Sequence, residues 1–103
     1  MIKAEFRRGE EGFASAAVSG HANFAPEGQD IVCAAVTSAV MLTANGITEI
    51  LKEGAQVKLL ENEISIALPG NPTGAATALL QALHLHLTLL QQQYPRHITV
   101  TEV

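Results

Sequence analysis

Residues 2–19 read IKAEFRRGEEGFASAAVS. Ile2, Ala4 and Phe6 alternate with Lys3, Glu5 and Arg7, the period of two of a strand with one covered and one wet face. The GEEG of Gly9–Gly12 predicts a turn. Phe13–Ser19 predicts a second strand, weakened by its three alanines. Together they make a hairpin, and the rest of the chain has to cover its apolar face. Gly20–Gln29 (GHANFAPEGQ) reads as a loop, broken by Gly20, Pro26 and Gly28. Asp30 has the chemistry of an N-cap, and an apolar helical stripe follows: Val32, Ala35, Val36, Ala39, Ile47 and Ile50. Asn45-Gly46 interrupts it at a cost of about 1 kcal/mol, but the stripe resumes at Ile47, so one helix is expected from about residue 30 to 52, bent or straight.

Gly54 is the expected stop. Val57 and Leu59, then Ile64, Ile66 and Leu68 around a turn at Glu61-Asn62, form a second alternating hairpin. The PGNPT of Pro69–Thr73 turns the chain, Thr73 caps a second helix running to Tyr94, and Pro95 ends it. His97–Val103 alternates once more. The order is ββαββαβ. Alternating strands with only two helices predict a two-layer α/β (α+β) sandwich, with a mixed or antiparallel sheet carrying both helices on one face. Strand order is not readable from this pattern. The second helix is apolar on two sides. Ala76, Leu79, Leu80, Leu83, Leu87 and Leu90 form one stripe; Ala78, Ala82, Leu85 and Leu89 form another about half a turn away. The first stripe takes the sheet. The second needs helix one or another chain, and a patch of this kind on a small protein points to a twofold homodimer.

Composition excludes several functions. With 103 residues the chain is one domain, 1–103. At 48% hydrophobic and 16% charged residues it is not a disordered segment. A net charge of −4, with six Lys and Arg that form no cluster, excludes ordinary nucleic-acid binding and suits a basic peptide partner better. One Cys excludes an internal disulfide and a multi-Cys metal site, and suits a reducing compartment, so a cytoplasmic protein is expected. Met1–Arg8 contains no apolar run of signal-peptide length. The uncharged stretch Ser65–Pro95 carries Asn71, Pro72, two His and four Gln, and no membrane span is expected there.

Cys33 is the residue with chemistry. If Asp30 caps the helix, Cys33 is its third residue, close to unpaired amides and the positive end of the dipole, an environment that favours thiolate. The plain reading is a small buried hydrophobe, since free Cys is among the most buried residue types. His21 precedes it by twelve residues, at a strand end before a loop that returns to the helix. Such a His can act as general base and then as an imidazolium beside the thiolate; the plain reading is a solvated loop residue. His84 and His86, two apart on a helix, point about 200° apart and cannot chelate one metal. His97 has no visible partner. Neither a metal nor another cofactor is expected.

The segment Gly20-His21-Ala22, a loop containing Gly28 and ending in Gln29, then Asp30-Ile31-Val32-Cys33-Ala34-Ala35-Val36, closely resembles the ribosomal-processing cysteine proteases of bacteria. Length and element order resemble that family too. The resemblance implies a cytoplasmic, homodimeric cysteine endopeptidase that removes the N-terminal extension of a large-subunit ribosomal protein. It implies Cys33 as nucleophile and His21 as base, with Asp30 matching an acidic residue ahead of the nucleophile. Where the family commonly has Ser four residues after the Cys, this chain has Thr37, which keeps a hydroxyl one turn behind Cys33. An anion beside the thiol works against thiolate formation, so Asp30 is read as a helix cap or an orienter of His21, the two roles weighing equally. Amides at the start of the helix are candidate oxyanion donors. Gly20, Phe24 and Gly28 are candidate substrate-loop residues, with Phe24 alternatively packing on the sheet.

Two other readings compete. One is a non-catalytic, ribosome-associated or peptide-binding module with an inert Cys33. The other is a different thiol acyl-transfer enzyme, such as a small amidase. Thiol reactivity at neutral pH separates the module from the enzymes, and a panel of peptides against small amides separates the two enzymes.

Overall fold

The computed structural model describes residues 1–20 and 27–103, with side chains from residue 31 onward in the second stretch. Strands β1 (Ile2–Gly9) and β2 (Gly12–Ser19) form the expected hairpin. Helix α1 (Glu27–Asn45) follows and continues into a π-helical turn, Gly46–Ile50. Strands β3 (Gln56–Leu60) and β4 (Glu63–Ala67) make the second hairpin, helix α2 spans Gly74–Gln93, and β5 (Ile98–Glu102) closes the chain.

The sheet is mixed, in the order β3-β4-β2-β1-β5. Every neighbour pair is antiparallel except β1 with β5, where Ile2 pairs with Ile98 and Phe6 with Glu102. Alternation does what the pattern predicts. Ile2, Ala4, Phe6, Phe13, Ala16, Val18, Ile66 and Ile98 are buried on one face, while Lys3, Glu5 and Arg7 are exposed on the other. Both helices close the apolar face. α2 contributes Ala76, Leu80, Leu83 and Leu87, and its entry is capped as expected: the Thr73 hydroxyl accepts the Ala76 N–H at 3.1 Å. The Thr73 N–H in turn donates to the Glu53 carboxylate, tying the start of α2 to the segment after the π turn.

Helix one departs from its expected course at both ends. It begins at Glu27, so Asp30 is its fourth residue and not its cap. The sequence ahead of Asp30 looks like a loop because of Pro26 and Gly28, yet one Gly inside a helix costs only about 1 kcal/mol, and packing of the rest of the helix outweighs that. Gly28 is accordingly the second residue of α1. The buried stripe is Val32, Val36, Val40, Ala44 and Ile47, spaced by three and four. Past Gly46 the chain widens: the Leu51 N–H donates to the Gly46 carbonyl five residues back at 2.9 Å. That extra residue swings Ile50 out to 79% exposure, and Leu51 packs against the core in its place. The helical run then ends at Lys52, which takes a left-handed φ of 56°, ahead of the expected stop at Gly54.

Composition alone makes α1 long and apolar enough to cross a membrane, with a mean hydropathy of 1.7 over Ile31–Ile50. Its buried stripe belongs to the core shared with the sheet and α2, the placement of a core helix. Leu42 and Ile50 of the same helical run are exposed on its outer side.

Candidate active site

The first turn of α2 and the Gly9–Gly12 turn lie at one end of the sheet. Cys33 sits at the other, where β1 begins and β2 ends. The thiol side chain is half-buried, packed against the edge of the core and open to a cleft of about 170 Å³. Among the described residues the walls are Ile2 of β1, Val18 and Gly20 at the end of β2, Val36, Thr37 and Val40 of α1, and the turn from Leu60 to Ile64. This volume is below the roughly 300 Å³ at which small-molecule pockets begin. It suits one or two residues of a chain passing through rather than an enclosed ligand.

Cys33 is the seventh residue of α1, about two turns in. The influence of the dipole fades within the first turn, so the helix terminus does not activate this thiol in the way its sequence position suggests. The unpaired N–H groups belong to Glu27–Asp30, three to six residues ahead of Cys33. Activation of the thiol therefore falls to another group. Thr37 lies one turn further along the same face and lines the cleft with Cys33, as the spacing predicts. His21 and Phe24 lie outside the described residues, as does the side chain of Asp30. An orienting role for Asp30 is therefore neither placed nor displaced, whereas its capping role is overturned by the helix start at Glu27.

What the structure does describe is the anchor ahead of His21. Gly20 has a φ of 77°, in the left-handed region that favours glycine. Its N–H donates to the Asn62 carbonyl at 3.0 Å, joining the end of β2 to the β3–β4 turn. A Cβ at this position would lie 2.6 Å from the Met1 carbonyl oxygen, closer than real contacts allow. Gly20→Ala is therefore expected to destabilise the protein by about 1–3 kcal/mol through backbone strain and that clash, read as a lower urea midpoint at unchanged slope. An unchanged midpoint would show that Gly20 is replaceable.

The β3–β4 turn is the part of the site that sequence reasoning missed. Leu60, Glu61, Asn62 and Glu63 carry no motif, and they reach Cys33 only because β4 pairs with β2. Other titratable residues have structural places. His84 lies at the opposite end of β1, its ring 4.9 Å from Phe6 and 4.7 Å from Phe13, with the Arg8 guanidinium 4.2 Å over Phe13. His97 precedes β5 and accepts the Ile2 N–H on its backbone carbonyl.

The geometry can be set beside known proteins. The family model described as cysteine protease Prp matches residues 1–99. The ribosomal processing cysteine protease Prp of Bacillus subtilis (strain 168) is 32% identical over 108 residues, covering 98% of this chain and 96% of that protein. The protein of the same name from Mycoplasma genitalium is 33% identical over 86 residues, covering 81% of this chain and 82% of its own. The crystal structure of the essential ribosomal processing protease Prp from S. aureus, in complex with a substrate peptide, superposes with a TM-score of 0.91 at 20% identity, over 100% of both chains.

Proposed function

Because the chain belongs to the cysteine protease Prp family, we propose that it is the endopeptidase that removes the N-terminal extension of a large-subunit ribosomal protein, with Cys33 as nucleophile and His21 as base. The observation that carries the reading is that Cys33 and Gly20, the residue before His21, line one cleft. The family and its named relatives support the chemistry; the substrate follows from what the Bacillus relative is named for.

In this mechanism His21 takes the thiol proton, and the Cys33 Sγ attacks the scissile carbonyl carbon. The oxyanion collapses, the C–N bond breaks, and His21 returns the proton to the leaving amine. Water, deprotonated by His21, then attacks the thioester, releasing the peptide carboxylate and the thiol. Thr37 lines the cleft with Cys33 and is assigned the supporting hydroxyl in this mechanism. No step uses a metal or cofactor. We place the enzyme in the cytoplasm, where a free thiol persists, without direct contact to nucleic acid or membrane. Incubation with the full-length precursor of the ribosomal protein, followed by intact-mass measurement, should give a single cut near its N-terminus; a precursor left whole would reject the reading.

We also propose that the enzyme is a twofold homodimer through the outer faces of α1 and α2. Leu42, Ile50, Leu85 and Leu89 are all exposed there, with Ala78 and Ala82 between them. Leu42, Ile50, Ala78 and Ala82 line an apolar groove of about 1030 Å³ between the two helices, larger than the cleft at Cys33 and distinct from it, and Leu85 lines the adjoining surface with Ala78 and Ala82. Soluble monomers rarely expose so much contiguous apolar surface. Because Leu85 and Leu89 carry none of the core, Leu85→Glu with Leu89→Glu should give a folded monomer by light scattering, as buried like charges at a symmetric contact repel. A wild-type protein already monomeric at micromolar concentration would end this proposal.

A further inference from the structure

A five-stranded open sheet has two edges, and here they are treated differently. At the β5 edge, the Val100 N–H donates to the Gln91 side-chain carbonyl of α2, so part of that edge is covered by the protein itself. The β3 edge has no such cover among the described residues.

The hydrogen bonds flanking β4 show which groups of β3 are open. The Gly20 N–H reaches the Asn62 carbonyl, and the Leu68 N–H reaches the Ala14 carbonyl, so the even-numbered residues of β4 and its flanks bond toward β2. In an antiparallel ladder the bonding side alternates, which leaves Glu63, Ser65 and Ala67 to bond toward β3. Their partners are Leu60, Lys58 and Gln56. Val57 and Leu59 therefore turn their N–H and C=O groups outward, to the open edge. Their side chains share the face of Ile66 and Ile64, the face on which α1 lies. Leu59 is nevertheless 62% exposed, an apolar shelf beside the helix layer. Natural sheets usually blunt an exposed apolar edge of this kind.

β3 ends at the cleft. Its last residue, Leu60, and the turn after it line the same cavity as Cys33. Resting on the protease reading above, we propose that the open edge of β3 is a strand-addition site for the peptide substrate: an extended stretch on one side of the scissile bond pairs with the outward groups of Val57 and Leu59, and so delivers the next peptide bond to Cys33. Main-chain pairing supplies binding that is indifferent to side chain, and alternate side chains select. The side chain of the added strand that faces α1 meets the Leu59 shelf, which favours an apolar residue.

The test uses the full chain and a peptide spanning the junction between extension and mature protein. Leu59→Pro removes the outward N–H and leaves the β3–β4 ladder, because proline is tolerated on an edge where its nitrogen faces solvent. Loss of one or two hydrogen bonds to the substrate should lower kcat/KM by about tenfold or more, mainly through KM. Leu59→Ala, which keeps the N–H, should lose less, and the rate of Cys33 alkylation by iodoacetamide should be unchanged in both. A direct readout needs no folded proline variant: in Cys33→Ala protein saturated with the peptide, the Val57 and Leu59 amides should become protected from hydrogen exchange. A folded Leu59→Pro variant with wild-type kcat/KM, or the absence of that protection, would overturn the strand-addition site while wild-type cleavage stands. A wild type that leaves the peptide intact overturns the protease reading and this site together.

Discussion

Cys33→Ala should abolish cleavage of the precursor and leave the fold intact. A cysteine protease without its sulfur has no group to form the acyl-enzyme, and the expected loss is at least roughly 10⁴-fold, below detection in an intact-mass assay. The stability cost is small for a physical reason. Cys33 is half-buried at the rim of a cleft, outside the fully buried stripe of Val32, Val36, Val40, Ala44 and Ile47 that holds α1 to the sheet. Alanine keeps the helix propensity and gives up only part of one side chain's burial, on the order of 1 kcal/mol. Far-ultraviolet circular dichroism and a urea titration should therefore resemble those of the wild type. Retained cleavage by the folded variant would remove Cys33 from the chemistry and leave the peptide-binding module as the better reading.

His21→Ala should cost about 10²–10⁴-fold in kcat, the usual range for losing a general acid–base. The position of Cys33 sharpens this expectation. Were the thiol in the first turn of α1, the helix terminus would sustain much of its reactivity without His21. At the seventh residue it has no such support. Alkylation of Cys33 at neutral pH should therefore fall along with cleavage in the His21 variant. If alkylation is unchanged and cleavage alone falls, His21 serves the leaving amine and something else activates the thiol. If both rates are unchanged, His21 is a loop residue and the pairing is wrong.

Much of this architecture is written in local pattern. Alternation at Ile2, Ala4 and Phe6 and at Ile64 and Ile66, the Thr73 cap and the stop at Pro95 each depend on residues within a few positions of one another, and each appears where the pattern puts it. The start of α1 departs from local pattern because Gly28 carries a breaker signal that the packing of a long helix overrides. The π turn is silent in the sequence: Ile47 continues the stripe, and the inserted residue shows in the structure through the Leu51–Gly46 bond and the exposure of Ile50. The site divides along the same line. Cys33 and Thr37 are neighbours on one helix and were legible together. The contribution of Leu60 to Ile64 depends on β4 joining β2, a non-local pairing that no single segment announces.

The parallel pairing of β1 with β5 also sets an order of events. β1 is an inner strand of the sheet, yet one of its two ladders is with the last strand, through Ile2 with Ile98 and Phe6 with Glu102. While the chain is being synthesised, β1 can pair with β2 early, but its second side stays open until the final residues emerge. Closing so long a loop is entropically slow compared with forming either hairpin. Ile2 walls the cleft, and its N–H is bound by the His97 carbonyl just ahead of β5. The cleft is thus complete only when both ends of the chain have met, so a nascent or C-terminally trimmed chain carries the thiol without the finished wall beside it.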